Sequence, residues 1–136
     1  MVAARIESAT YWIATGLMGA LMLFAVQMYL RRPELVAGMF ESYSYPGYVV
    51  YPLAAAKAAA LVVILLNRWR NLKDIAYGAF FINLVMATFA HLAAGDTPIH
   101  AYVGLAAVPI SYALSNRVRG EPPHDAFLFS GRTGVG

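Results

Sequence analysis

Four long apolar stretches, at about residues 11–30, 48–66, 73–94 and 99–114, constrain this chain more than any other feature of its sequence. Each approaches the roughly 20 residues a helix needs to cross about 30 Å of hydrocarbon. Short clusters of charge separate them, so the apolar residues are segregated along the chain rather than alternating with polar ones. Of the 136 residues 60% are hydrophobic and 12% charged, outside the usual range for a soluble domain of this size. The reading that follows is an all-α polytopic membrane protein whose backbone polar groups are satisfied inside each helix.

The first stretch closes at Arg31-Arg32-Pro33. It is longer than the apolar core of a cleavable signal, and no small-residue cleavage site follows it, so it is expected to remain as a span. Beyond it, Leu35, Val36, Met39, Phe40 and Tyr43 recur at helical spacing, with Glu34, Gly38, Glu41 and Ser42 on the other side. That pattern predicts a short interfacial helix between spans one and two; an irregular polar loop is the alternative. Ser44-Tyr45-Pro46-Gly47 then turns the chain back. Only the basic turn Asn67-Arg68-Trp69-Arg70 separates spans two and three, and Pro109 is expected to kink the short fourth span. Residues 1–115 are thus expected to form one four-helix transmembrane domain, and residues 116–136, with Pro122-Pro123 and several glycines, a flexible cytoplasmic tail.

Orientation is read from Lys and Arg. Arg5, Arg68, Arg70, Lys73, Arg117, Arg119 and Arg132 fall on one side of a four-span arrangement, and Arg31 and Arg32 on the other. Both termini are therefore expected on the cytoplasmic side. The formal charge of +3 is explained by this placement and by anionic lipid, without a nucleic-acid partner. The absence of cysteine excludes disulfides, thiolate zinc sites, iron-sulfur ligation and a CxxC redox pair.

Helix association in lipid relies on small residues and polar contacts. Gly16/Ala20, Ala55/Ala59, Ala56/Ala60, Ala90/Ala94 and Ala107/Ser111 each place two small side chains on one helix face, though an alanine-rich chain also yields such pairs by chance. Tyr and Trp gather at the span ends, Tyr11, Trp12, Tyr29, Tyr77 and Tyr112 among them, as an interfacial belt does. The group from Tyr43 to Tyr51 is alternatively a wall for a flat, partly apolar ligand.

Polar residues at membrane depth are costly and so carry the functional hypotheses. Lys57 sits near the middle of the second span, and Asn83 lies at similar depth in the antiparallel third, so the two are placed to meet. A proton-handling group or an anchor for a quinone carbonyl is the functional reading of Lys57; interhelical adhesion is the structural one. Farther out come His91, Asp96 and His100. Imidazole and carboxylate suit divalent ions, but the spacing matches no metal motif, and a hydrogen-bonded rim ordering the loop is preferred. No phosphate loop, GxSxG, HExxH or cysteine nucleophile is present, which excludes stand-alone hydrolysis of those kinds.

Three segments, Tyr11-Trp12-Ile13-x-Thr15-Gly16, Gly47-Tyr48-x-x-Tyr51-Pro52 with Lys57 following, and Phe89-Ala90-His91-Leu92-x-x-Gly95-Asp96, together resemble the DoxX-like family of small four-helix membrane proteins. The resemblance covers about residues 9–115. It implies the four-helix fold in an inner membrane. The wider DoxX group includes a subunit of a thiosulfate:quinone oxidoreductase, while most DoxX-like members have no assigned activity. The implied role is an accessory or anchor subunit near quinone-linked redox chemistry, with lipid, other membrane subunits or a second copy as partners. No cofactor is fixed by the sequence. If a quinone binds, Lys57, Asn83, His91 and Asp96 are where its headgroup is expected. A structural or interaction protein without a ligand of its own is the other reading; a small-solute carrier would require an inverted repeat, which is not found.

Overall fold

The structure is a computed structural model that describes residues 1–42 and 44–122. Tyr43 of the amphipathic stretch and the tail from residue 123 onward lie outside the described residues. The described chain is all-α: α1 (Val2–Arg31), α2 (Pro33–Ser42), a 3-10 turn (Gly47–Val49) leading into α3 (Val50–Leu66), α4 (Arg70–Ala93) and α5 (Ile99–Arg119). The segments Val2–Arg31, Gly47–Leu66 and Arg70–Ala93 are long and apolar enough to cross a membrane. Helix α5 has 21 residues, about 31 Å of length, but is less apolar.

The four long helices close into a ring. Helix α1 packs on α3 and α5, and α4 fills the other side between α3 and α5. Met18, Met22, Leu61, Ile64, Phe80, Leu84 and Val108 meet at its centre. Much of the remaining apolar surface faces outward: Leu23, Phe24, Val62, Ile82 and Phe89 are all more than half exposed. A water-soluble bundle would bury these side chains; a lipid-solvated one has no reason to.

Two boundaries differ from those read in the sequence. Helix α1 begins nine residues before Tyr11, because its first turns project past the apolar stretch, where Glu7 Oε1 accepts a hydrogen bond from Arg117 at 2.9 Å. Helix α5 continues through Pro109 and past Ser115 to Arg119, where its last turn is held by Asn67 of the α3–α4 turn and Lys73 of α4. Short helix α2 is present after Arg32, with Val36 turned inward.

Of the small-residue pairs, Ala107 and Ser111 lie inside the bundle, at 3% and 0% exposure. Gly16/Ala20 and Ala55/Ala59 instead face outward, and a Cβ at Gly16 would meet nothing within 4 Å. Interior contact is closest at Gly104 of α5. A Cβ there would come within 2.8 Å of both Leu84 methyls and 3.3 Å of Leu21 Cδ1, so a larger residue forces the buried Leu84 side chain to shift. Gly104→Val is expected to cost about 2 kcal/mol by overpacking, whereas Gly16→Ala is expected to be neutral or slightly stabilising. Unfolding in mixed micelles, followed by circular dichroism, checks the difference, and equal behaviour of the two variants contradicts this packing.

Candidate functional site

The tight α3–α4 turn sets the register of two antiparallel helices. Asn67 closes α3 in the left-handed conformation, with φ 50°, and α4 starts three residues later. Lys57 and Asn83 thereby stand at matching depth, and Lys57 Nζ donates to Asn83 Oδ1 at 2.7 Å. The ammonium also lies 5.3 Å from the Tyr29 ring centroid, which brings α1 into the same contact. Lys57 is buried, at 6% exposure. An ammonium has three N–H donors, and this arrangement engages one of them with an oxygen.

His91 and Asp96 form a second, separate pair. His91 Nδ1 lies 3.0 Å from Asp96 Oδ2, and Asp96 Oδ1 accepts the Thr97 backbone N–H at 3.0 Å. The His100 ring stacks edge-on against His91 with centroids 4.9 Å apart. The hydrogen bond from His91, with that from Thr97, holds the Asp96 carboxyl below its ordinary range. Its contribution to loop order is present above the ordinary carboxylate pKa and is lost as pH falls through the depressed one. Asn83 and His91 are eight residues apart on α4, so about 12 Å of helix separates the pairs. A cleft at Arg31–Leu35 and another between α4 and α5 are lined by other residues than Lys57, Asn83, His91 and Asp96. Among the described residues, no three His, Asp or Glu side chains converge as a metal ion would require.

The more elaborate polar cluster was not singled out from the sequence. Lys73, read as a topological charge, is 1% exposed. Its Nζ donates to Asn67 Oδ1 at 3.0 Å, Ser115 Oγ at 3.2 Å and Asn116 Oδ1 at 2.6 Å. Three donors meet three neutral acceptors, so the buried ammonium is fully hydrogen-bonded. One turn farther into the bundle, Ser111 Oγ lies 2.7 Å from both Thr15 Oγ1 and Tyr77 OH. Tyr11 and Tyr77, expected in the aromatic belt, are core residues at 0% and 2% exposure. A four-residue spacing was the available signal: Tyr11/Thr15, Lys73/Tyr77 and Ser111/Ser115 each put two polar groups on one face of their helix.

The same end of the bundle satisfies two helix termini reciprocally. Asn67 Nδ2, at the end of α3, donates to the Gly120 carbonyl at 3.1 Å and more weakly to that of Arg119 at 3.4 Å. Arg119, at the end of α5, donates to the Ile64 carbonyl of α3 at 3.1 Å. Carbonyls that a helix end leaves without internal donors are thus served by the neighbouring helix. Chemically, the cluster supplies cohesion, joining α3, α4 and α5 through Asn67, Lys73, Ser115 and Asn116. Lys73→Met strands three acceptors and Lys57→Met strands one, so the first is expected to cost about 3 kcal/mol and the second about 1 kcal/mol. Thermal unfolding in detergent measures both, and the reverse order would contradict this assignment.

Against known proteins, the chain is matched by one family model, described as the DoxX-like family, over residues 13–114. No curated protein and no solved structure matches it. The matched region runs from about the fourth turn of α1 through most of α5 and contains Lys57, Asn83, His91 and Asp96. It covers most of the chain, and the protein belongs to the DoxX-like family.

Proposed function

We propose that this integral membrane protein is an accessory subunit that crosses the inner membrane four times and stabilises a larger membrane assembly through its lipid-facing helix surfaces. In this reading α1, α3, α4 and α5 are the spans, residues 1–115 form the transmembrane unit, α2 lies in the interface, and both termini are cytoplasmic. The even number of crossings is supported by contacts at one end of the bundle. Arg117 meets Glu7, and Asn67 meets the carbonyl of Gly120, so the start of α1, the α3–α4 turn and the end of α5 lie together. Arg5, Arg68, Arg70, Lys73, Arg117 and Arg119 also belong to that end, as expected of a cytoplasmic face.

The observation that carries the interaction role is the outward placement of Gly16/Ala20 and Ala55/Ala59. Small residues let a second helix approach closely enough for dispersion and weak polar contacts, which are the main sources of helix affinity in lipid. Inside, by contrast, the polar groups of Lys73, Asn67, Thr15 and Ser111 are engaged in holding this chain's own helices together.

A quinone-linked accessory role is the second reading, favoured by one feature: Lys57 engages a single oxygen acceptor and so has donors for a quinone carbonyl. Lys57 is only 6% exposed, and His91–Asp96 lies about 12 Å farther along α4. A headgroup at Lys57 therefore requires Tyr29 or its neighbours to move, and one quinone ring does not span all four residues named from the sequence.

Purification of the full chain from native membranes in mild detergent separates the readings. The interaction role predicts a co-purifying subunit or second copy, lost at least about fivefold from Ala20→Leu or Ala59→Leu while protein level is kept. Isolation as a monomer with stoichiometric quinone, depleted in Lys57→Met, contradicts it and supports the redox role.

A further inference from the structure

The α4–α5 surface carries a groove of about 440 Å³ that neither reading above uses. Its lining is Asp74, Tyr77, Gly78 and Phe81 from α4 with Val108, Pro109 and Tyr112 from α5. Tyr77 and Val108, each 2% exposed, form the floor, while Phe81 and Tyr112, at 40% and 48%, stand as walls. Space exists because Gly78 has no side chain: a Cβ there would meet nothing within 4 Å. From Asp74 to Phe81 the groove runs about 10 Å along the helix, starting in the second turn of α4 and descending toward the middle of the bundle.

Polarity along this groove is graded. At the end near the basic turn, the Asp74 carboxylate lies against the Tyr112 hydroxyl, with Arg70 one turn beyond and itself paired to Glu121 at 2.6 Å. The deeper end, at Phe81, Val108 and Pro109, is wholly apolar. We infer that this groove is a binding site for a bilayer phospholipid with an ammonium headgroup, the ammonium at Asp74 and Tyr112 and one acyl chain over Gly78 to Pro109. A carboxylate attracts an ammonium, and the exposed Tyr112 ring adds a cation–π face. The same carboxylate repels the phosphate of a lipid without a compensating cation. It likewise disfavours a quinone, whose carbonyls only accept hydrogen bonds. The groove opens to the lipid phase, where such a headgroup is always at hand.

The test uses the full chain in micelles containing equal phosphatidylethanolamine and phosphatidylglycerol, with the retained lipid counted by native mass spectrometry. Wild-type protein is expected to keep phosphatidylethanolamine over phosphatidylglycerol by about fivefold, and Asp74→Asn to bring that ratio to about one, as expected for loss of one charge-assisted contact. Gly78→Leu, which fills the groove, is expected to lose both lipids. Should Gly78→Leu fail to fold by circular dichroism, the exposed Asp74→Asn variant decides alone. An unchanged lipid ratio in Asp74→Asn, preferential retention of phosphatidylglycerol, displacement of the lipid by an added quinone, or a folded Gly78→Leu that still holds phosphatidylethanolamine would each overturn the assignment.

Discussion

Lipid offers no hydrogen bonds, and this chain's architecture follows from that constraint. Each backbone N–H and C=O at membrane depth must be satisfied within its own helix, which leaves the helix ends and the few interior polar side chains as the places where partners must be supplied. One end of the bundle supplies the densest set of them. Asn67 and Arg119 serve each other's helix termini, and Lys73 joins Asn67 to Ser115 and Asn116. The α3–α4 hairpin is thereby fastened to the end of α5, and Arg117–Glu7 extends the connection to α1. Without a strong hydrophobic drive between helices, such contacts and the close approach at Gly104 fix which faces pack.

The interior is zoned as a consequence. From the Lys73 end inward, polar side chains give way to a layer of Met18, Met22, Phe80 and Leu84, and the Lys57–Asn83 pair then stands apart beside Tyr29. The hydroxyls of Tyr77, Ser111 and Thr15 bond to one another rather than to Lys57. Cohesion and any chemistry at Lys57 are thus physically separable. A lysine with one oxygen partner among lipid-facing helices is a different object from one with three.

How far the sequence was legible depends on how local the determining interaction is. The four apolar stretches follow from composition alone. Lys57 and Asn83 were paired correctly because a tight turn between two antiparallel helices leaves little freedom in register. His91 and Asp96 are five residues apart and meet across one helix end. The buried network of Lys73 was not read, because its acceptors Ser115 and Asn116 are 42 and 43 residues away, and the four-residue spacing of Lys73 and Tyr77 marks a polar helix face without naming its partners. Tyr11 and Tyr77 misled for a related reason: a tyrosine near the end of an apolar run satisfies the belt pattern whether it faces lipid or the bundle interior. The extra turns of α1 and α5 are set by the ion pair and caps between distant segments, which a hydropathy profile does not contain.

The central claim is that an even number of helices crosses the bilayer, so that both ends of the chain share a side opposite the α2–α3 connection. Since the chain has no native cysteine, single cysteines at Ser8, Ser44 and Ser130 can be probed in intact cells with a membrane-impermeant maleimide. The account predicts labelling at position 44 from outside, and labelling at 8 and 130 only after the membrane is opened. External labelling at 130 but not at 8 would contradict it.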